Sequence, residues 1–294
     1  MLVLSESSPQ LKHSASTVDL YKATEAAKIA GCKVYYIPQD FSECEIAENA
    51  IWHIPEQDEP TLALWIGYIP LPEHYNDLYN AALSKNIRLI NSPEEYRTAM
   101  EFDKYYPLIE NLTFNSGVFD SLEEIEKQKN SIEYPLFIKG TVQSLKSKGI
   151  EACVANNSDE LLKISKKIFS LKRRSLGKVI VREYKPLRHI RKTGLGFPIG
   201  REYRVFMYKN RIIEFGYYWE DTDELSELNP VEQKEIFSLC ERVSKAVDVP
   251  YLSIDIGQKE DKEWIVIELG DAQFSGTSQM PLNTLWNKLS QLDS

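Results

Sequence analysis

No stretch of this sequence stays apolar for the roughly eighteen residues that a membrane-crossing helix needs, so a membrane span is not expected. Cysteine is sparse. The four thiols, Cys32, Cys44, Cys153 and Cys240, lie far apart with no CxxC pair, which excludes a disulfide framework and a zinc site built on such pairs. They are expected to be reduced thiols of a cytoplasmic protein. The start, "MLVLSESSPQ", lacks both a basic stretch and an extended apolar one, and no signal peptide is expected there. Basic residues are outnumbered, and a net charge of -9 argues against broad binding to nucleic acid. There is no internal repeat and no low-complexity segment. The lone His189 has no partner at metal-ligand spacing.

What is present divides into two textures. Over the first hundred residues strands alternate with helices: "MLVLS", then the amphipathic "TVDLYKATEAAKIAG" closed by Gly31, then "KVYYIP". "TLALWIGYIP" reads as a central strand, "EHYNDLYNAALSKN" as a helix and "IRLI" as a strand. Ser92 then caps a helix with Pro93 at its first position. This alternation predicts a small parallel α/β sheet. From about residue 130 the pattern becomes hairpin-like, in "YPLFIKG", "KVIVREY", "REYRVFMYKNRIIEFGYYW" and "YLSIDIGQKEDKEWIVIEL". Between these lie the helices "SDELLKISKKIFSLKR" and "NPVEQKEIFSLCERVSKAV". The second has Asn229 as its cap and an apolar stripe at Ile236, Leu239, Cys240, Val243 and Val247. The expected fold is α/β plus α+β, with units 1–110 and 111–294, the latter dividing into about 111–180 and 181–294.

The last hairpin carries acids where a dry strand wants none. A polar turn centred between Asp261 and Lys262 would set Asp255 opposite Glu268 on one face, with Asp271 just beyond the strand. Opposed carboxylates need a counter-charge. The three acids suit Mg²⁺, which takes hard oxygen ligands and bridges carboxylates to nucleotide phosphates. The alternative is a structural network in which Lys or Arg neutralises them.

Basic residues occur at corresponding strand ends. Lys139 closes the apolar "YPLFIKG", where an ammonium needs an anion such as phosphate. The turn after it offers Ser144, Lys146, Ser147 and Lys148 as a phosphate cover, or is a solvated turn. Arg204 shares a strand face with Glu202 and suits an anion clamp. Arg182 is a second clamp, or pairs with Glu183 or Glu202. The loop "KPLRHIRKTGLGFPIG", with Arg188, Arg191 and Lys192, reads as a mobile lid, a substrate loop or an exposed basic loop.

The ordered set "FDKYYP", "YPLFIKG", "SLKSKGIEACV", "VIVREY", "EYRVFMY", "YLSIDIG" and "WIVIELGDAQFSG" resembles the ATP-grasp superfamily over most of residues 100 to 280. Within it, "GFPIGREYRVFMYKNRII", "YYW" and "IELGDAQFSG" resemble the clade named for two arginines and a lysine. The resemblance implies two α+β subdomains clasping ATP and Mg²⁺ behind a small α/β domain. It implies that Lys139 contacts the α/β-phosphates, with Lys104 as a second family lysine; Lys146 of the Ser/Lys-rich turn is expected beside them. Val181, Arg182, Glu183 and Tyr184 would form the adenine hinge. Arg204 would face the phosphate or the intermediate, with Lys148 of the turn expected as a second catalytic group, and Asp255, Glu268 and Asp271 would hold the metal. Asp271 stands for the Asn of an E-x-N pattern, and "VQSLKSKG" replaces a glycine-rich loop. The activity implied is an ADP-forming carboxylate–amine ligase working through an acylphosphate on a peptide, protein or small carboxylate. An alternative is an ATP-binding assembly factor, like the eukaryotic cell-division-cycle ATP-grasp protein.

Overall fold

The computed structural model describes residues 1–7, 14–41 and 44–292; residues 8–10 of the N-terminal run fall outside them. Three four-stranded sheets carry the chain. The first is parallel: β1 (Leu2–Ser5), β2 (Lys33–Tyr36), β3 (Thr61–Ile66) and β4 (Ile87–Leu89), in the order β2-β1-β3-β4. Helices α1 (Ala15–Ile29), α2 (Ala47–Ala50) and α3 (Pro72–Leu83) run between the strands. The run "TLALWI" is β3, interior as expected, and it is apolar because both faces are covered. Leu62, Leu64 and Ile66 enter one core, and Ala63 and Trp65 enter another. Next comes α4 (Pro93–Met100), where Ser92 accepts from the Glu95 N–H and Glu95 accepts from the Ser92 N–H, a reciprocal cap.

Helix α5 (Phe102–Ile109) leaves the first sheet and buries Phe102, Tyr105 and Ile109 in the core of the third. The second sheet is antiparallel: β5 (Ser116–Phe119), β6 (Leu136–Gly140), β7 (Val154–Ala155) and β8 (Val179–Glu183), ordered β5-β8-β6-β7. Helices α6 (Leu122–Gln128) and α7 (Ser158–Phe169) cover one face through Ile125, Leu161, Ile164 and Ile168. The short α8 (Lys172–Ser175) packs its backbone on the end of β6. Gly140 permits this, since a Cβ there would overlap the Arg174 carbonyl.

The third sheet holds β9 (Glu202–Tyr208), β10 (Arg211–Tyr217), β11 (Tyr251–Gln258) and β12 (Trp264–Asp271), ordered β10-β9-β11-β12 and antiparallel. Behind it lies α9 (Pro230–Val247), with all five residues of the expected stripe buried. Each such side chain is worth about 1.5–3 kcal/mol of burial, enough to fix the helix against the sheet. The final helix, α10 (Leu282–Leu289), returns to the first sheet, where Leu285, Trp286 and Leu289 share a core with Val3, Leu64 and Phe206.

The hairpin turn differs from expectation in an instructive way. Gln258 faces Trp264 and Ile256 faces Val266, which centres the turn on Asp261. That register alone would set Asp255 opposite Ile267. A one-residue bulge in β12 shifts the pairing, so Asp255 does face Glu268. Strand β8 pairs with β5 and β6 and continues to Glu183. We therefore propose that the lobe boundary near residue 180 falls after this strand, with 1–110 as the N-terminal unit.

Candidate functional site

Period-two alternation sends the side chains of the second and third sheets into one cleft. From the second sheet come Phe137, Lys139 and Arg182; from the third come Glu202, Arg204, Asp255 and Glu268. Lys139 is only 2% exposed, and its ammonium pairs across the cleft with Glu268. Burial brings the Lys139 pKa below its ordinary value, with Glu268 opposing. Burial alone would raise Glu268, but the charges of Lys139, then Lys146 and Arg182, hold it below the usual carboxylate range. Arg204 grips Asp255 with two bonds, Nε to Oδ1 at 2.7 Å and Nη2 to Oδ2 at 2.8 Å. A third bond runs from Arg204 Nη1 to the Gly276 carbonyl, 2.8 Å away.

Lys146 comes from the turn after β6. Its Nζ lies 3.6 Å from Glu202 Oε2 and 5.2 to 5.5 Å from the rings of Tyr218, Phe197 and Trp219. Burial would lower its pKa, but Glu202 and then Tyr218 outweigh that and hold it above the ordinary lysine value. The Arg204 guanidinium sits 4.9 Å from the same Tyr218 ring, so this ring touches two cations of the cleft. Arg182 lies between the rings of Phe114 and Phe137 and donates to the Ile267 carbonyl at 2.7 Å. It pairs with neither Glu183 nor Glu202. Its Nε, and Glu202 Oε2, are buried polar atoms with no hydrogen-bond partner.

These groups line a continuous trench. At one end is an apolar slot walled by Phe114, Phe137, Phe197, Leu187 and Ile267, with Lys139, Lys146 and Arg182 at its base. It shares Ser144, Lys146 and Glu268 with a second cavity of about 340 Å³, which Ser147, Arg174, Arg204, Tyr218 and Asp255 also line. Through Gln143 and residues 274–276 this second space joins a third, of about 630 Å³, against the first sheet.

The structure gathers some expected site residues and not others. Lys139, Lys146, Arg182, Glu183, Tyr184, Arg204, Asp255 and Glu268 line the trench. Asp271 does not. Three residues beyond Glu268 it turns to the opposite face of β12, where Gln273 donates to it from N at 2.9 Å and from Nε2 at 3.2 Å. Burial raises its pKa to about 6. On the Glu268 face the equivalent position is Gly270, which lines the trench. Val181 was expected to contribute backbone to the hinge; its side chain enters the core beneath α7, and it stands within the sheet, opposite Gly117 and Ile138. Lys104 pairs with Glu94 at 3.6 Å, outside the trench, and Lys148 is exposed and lines neither the slot nor the cavity beside it. At the hinge, the Glu183 and Tyr184 N–H groups bond to the Asn115 and Pro135 carbonyls, at 3.0 and 3.1 Å. Among the described residues, the Lys185 N–H is the first at the exit of β8 without a bond.

The basic loop is a wall and not a free arm. Arg188 donates to Gln258 Oε1 at 3.1 Å and Arg191 to Asp223 Oδ2 at 2.6 Å. Leu195 then packs on the turn at Gly149, whose φ of +94° suits glycine. Phe197 and Pro198 beyond it close the slot. Tyr218, Phe197 and Arg174 carry no signal in the sequence, and Glu202, expected only as a partner for Arg182, instead pairs with Lys146. The strand alternation placed Glu202 beside Arg204, and that was the one signal available.

The model of an ATP-grasp domain family, the third of the clade named for two arginines and a lysine, matches residues 124–289, more than half of the chain. The chain belongs to this ATP-grasp family. No curated protein sequence matches it significantly. Among solved structures, the RimK domain protein ATP-grasp from Sphaerobacter thermophilus is 13% identical with a TM-score of 0.64, covering 99% of this chain and 98% of that one. D-alanyl-alanine synthetase A from Vibrio cholerae is 12% identical, TM-score 0.62, covering 98% and 92%. The ATP-grasp ligase PsnB, solved with minimal precursor, Mg and ADP, is 15% identical, TM-score 0.56, covering 98% and 96%. At these identities the likeness shows the ATP-grasp fold, which is the fold expected from the sequence.

The residues fit what this fold implies. The apolar slot suits a flat base; Arg182 Nε has no hydrogen-bond partner, and Glu202 Oε2 is ion-paired to Lys146 without a hydrogen bond, so both are polar atoms for a ligand to meet. Among the described residues no three His, Cys, Asp or Glu side chains cluster at metal-binding range. Mg²⁺ takes one or two protein carboxylates beside phosphate oxygens and water, a number that Asp255 and Glu268 could provide without Asp271. No helix among the described residues is long and apolar enough to cross a membrane.

Proposed function

We propose that the protein is an ATP-dependent carboxylate–amine ligase, ADP-forming, acting on a peptide or protein carboxylate. The observation that carries this reading is the facing pair Asp255 and Glu268, held by Arg204 and Lys139, with Glu268 lining both the apolar slot and the neighbouring cavity that Asp255 lines. In it, Phe114, Phe137, Phe197 and Leu187 enclose the base, and the hinge after β8 offers backbone groups to its edge. Lys139 and Lys146 face the phosphates. Mg²⁺, when bound at the acid pair, neutralises charge on the transferring phosphoryl group. The γ-phosphoryl passes to a substrate carboxylate and ADP leaves; an amine nitrogen then attacks the acyl carbon, the C–O bond to phosphate breaks, and the nitrogen's proton leaves with the departing inorganic phosphate. Arg204, steered by Asp255 and the Tyr218 ring, stabilises the oxyanion of that second step.

The test is nucleotide turnover with size-fractionated lysate from the source cells, separating ADP, AMP and phosphate. Release of ADP and phosphate stimulated by one fraction supports the reading; release of AMP overturns it. One observation favours the assembly-factor alternative: large apolar side chains stand exposed on the N-terminal unit, including Ile29 and Trp52 at 76% each. Tight ATP binding without stimulated ADP release in any fraction would support that alternative.

A further inference from the structure

Charge is distributed unevenly along this acidic chain. Residues 161–182 carry eight Lys and Arg and no Asp or Glu, in a protein whose acids outnumber its bases by 44 to 35. The segment runs through α7, α8 and into β8. Its inward residues build the core beneath α7, while Lys163, Lys166, Lys167 and Lys172 are exposed. None of these four has an ion-pair partner among the described residues, whereas Arg173 of the same segment pairs with Asp40 at 3.0 Å and Lys178 with Asp103 at 2.7 Å. Lysines in the last turn of a helix suit its dipole, and that accounts for Lys166 and Lys167 in part. It does not account for Lys163 or for the continuation onto α8.

That continuation leads into the trench. Arg174 lines the cavity that holds Arg204 and Lys146, donating from Nη1 to the Ser144 carbonyl at 2.7 Å. Arg173 lines the larger cavity beside it. The cationic strip therefore begins on the outer face of α7 and ends at the trench wall. A lone substrate carboxylate would need the trench alone, whereas a strip of cations outside it suits further carboxylates on the same molecule.

We infer that α7 and α8 form the docking surface for an acidic peptide segment, whose reacting carboxylate enters the trench past Arg173 and Arg174. The inference rests on the ligase reading and names its substrate class. Lysines are suited to this role because they supply long-range attraction with little demand on geometry.

The test is fluorescence anisotropy with a labelled oligoglutamate peptide, at low and at physiological salt. The comparison is the full chain against a variant with Lys163, Lys166, Lys167 and Lys172 all changed to Gln. All four are surface residues outside the trench, and ATP affinity measured in parallel should not change. The expected result is binding that weakens with salt and falls about tenfold or more in the variant. Equal affinity of both proteins for the peptide would overturn the inference, as would tighter binding of a single-stranded RNA of equal charge. No peptide binding alongside intact ATP turnover would remove the docking surface and leave the ligase reading standing. Lysine-dependent peptide binding without ATP binding in either protein would support the surface and sink the ligase reading.

Discussion

Asp255 and Glu268 stand opposite each other on β11 and β12, and each is held by a cation of different origin. Arg204 reaches Asp255 from the neighbouring strand of the same sheet, while Lys139 reaches Glu268 from the facing sheet. The pair is thus a point where the two lobes meet. A ligand that takes the carboxylates must release the cations, which then face its phosphates.

Lys139→Gln should weaken ATP binding about ten- to a hundredfold, since charge-assisted hydrogen bonds contribute about 1.5–3 kcal/mol each. Calorimetric titration of the variant measures this. Unchanged affinity would take Lys139 out of the phosphate site.

The Tyr218 ring meets the Lys146 ammonium at 5.2 Å and the Arg204 guanidinium at 4.9 Å. Tyr218→Phe keeps that face and should retain most turnover. Tyr218→Leu removes it and should cost about tenfold, consistent with ~1–2 kcal/mol for partly desolvated cation–π contacts. Equal rates for the two variants would show that the ring face has no role.

Asp271→Asn should leave the magnesium requirement of turnover unchanged, because its carboxylate faces Gln273 and not the trench. Asp255→Asn should raise that requirement at least about tenfold. If Asp271→Asn shifted the magnesium curve as far as Asp255→Asn did, the assignment of faces on β12 would be wrong.

Glu6 lies buried at the end of β1, where its Oε2 accepts from the Tyr68 N–H at 2.8 Å. Burial, with Asp40 adding to it, pushes its pKa up to about 7 from 4.5. The folded state therefore holds this proton more tightly than the unfolded chain. Below about pH 4.5 both states are protonated. As pH rises towards 7 the unfolded chain ionises first, so stability falls, by about 3 kcal/mol from this group. Glu6→Gln should flatten the melting temperature over this range and raise it at pH 7 and above. A Glu6→Gln profile parallel to that of the parent protein would exclude Glu6 as the source of the slope.

Much of this molecule was legible in its sequence because short-range physics wrote it there. The cap at Ser92, the α9 stripe and the interior strand β3 follow from local pattern. The facing of Asp255 and Glu268 was expected from a symmetric turn, yet it depends on a bulge that nothing in "WIVIELGD" announces. Asp271 lies close to Glu268 in sequence, yet the alternation of a strand sends residues three apart to opposite faces, and there it meets Gln273. Lys104 and Lys148 carried the right chemistry at positions whose direction only tertiary packing decides. Tyr218 and Phe197 went unassigned for the complementary reason. Aromatic residues near a hairpin look like core until the cations of another lobe are placed against them.

The central claim is that Asp255 and Glu268 form the magnesium site of an ATP-using enzyme. The most direct measurement is ADP release by the purified protein with its stimulating substrate fraction, titrated with Mg²⁺, for the parent protein and for Glu268→Gln. The account predicts release that depends on magnesium in the parent and is lost at least about a hundredfold in the variant, with the melting temperature little changed. Magnesium-dependent release at equal rates in both proteins would contradict it.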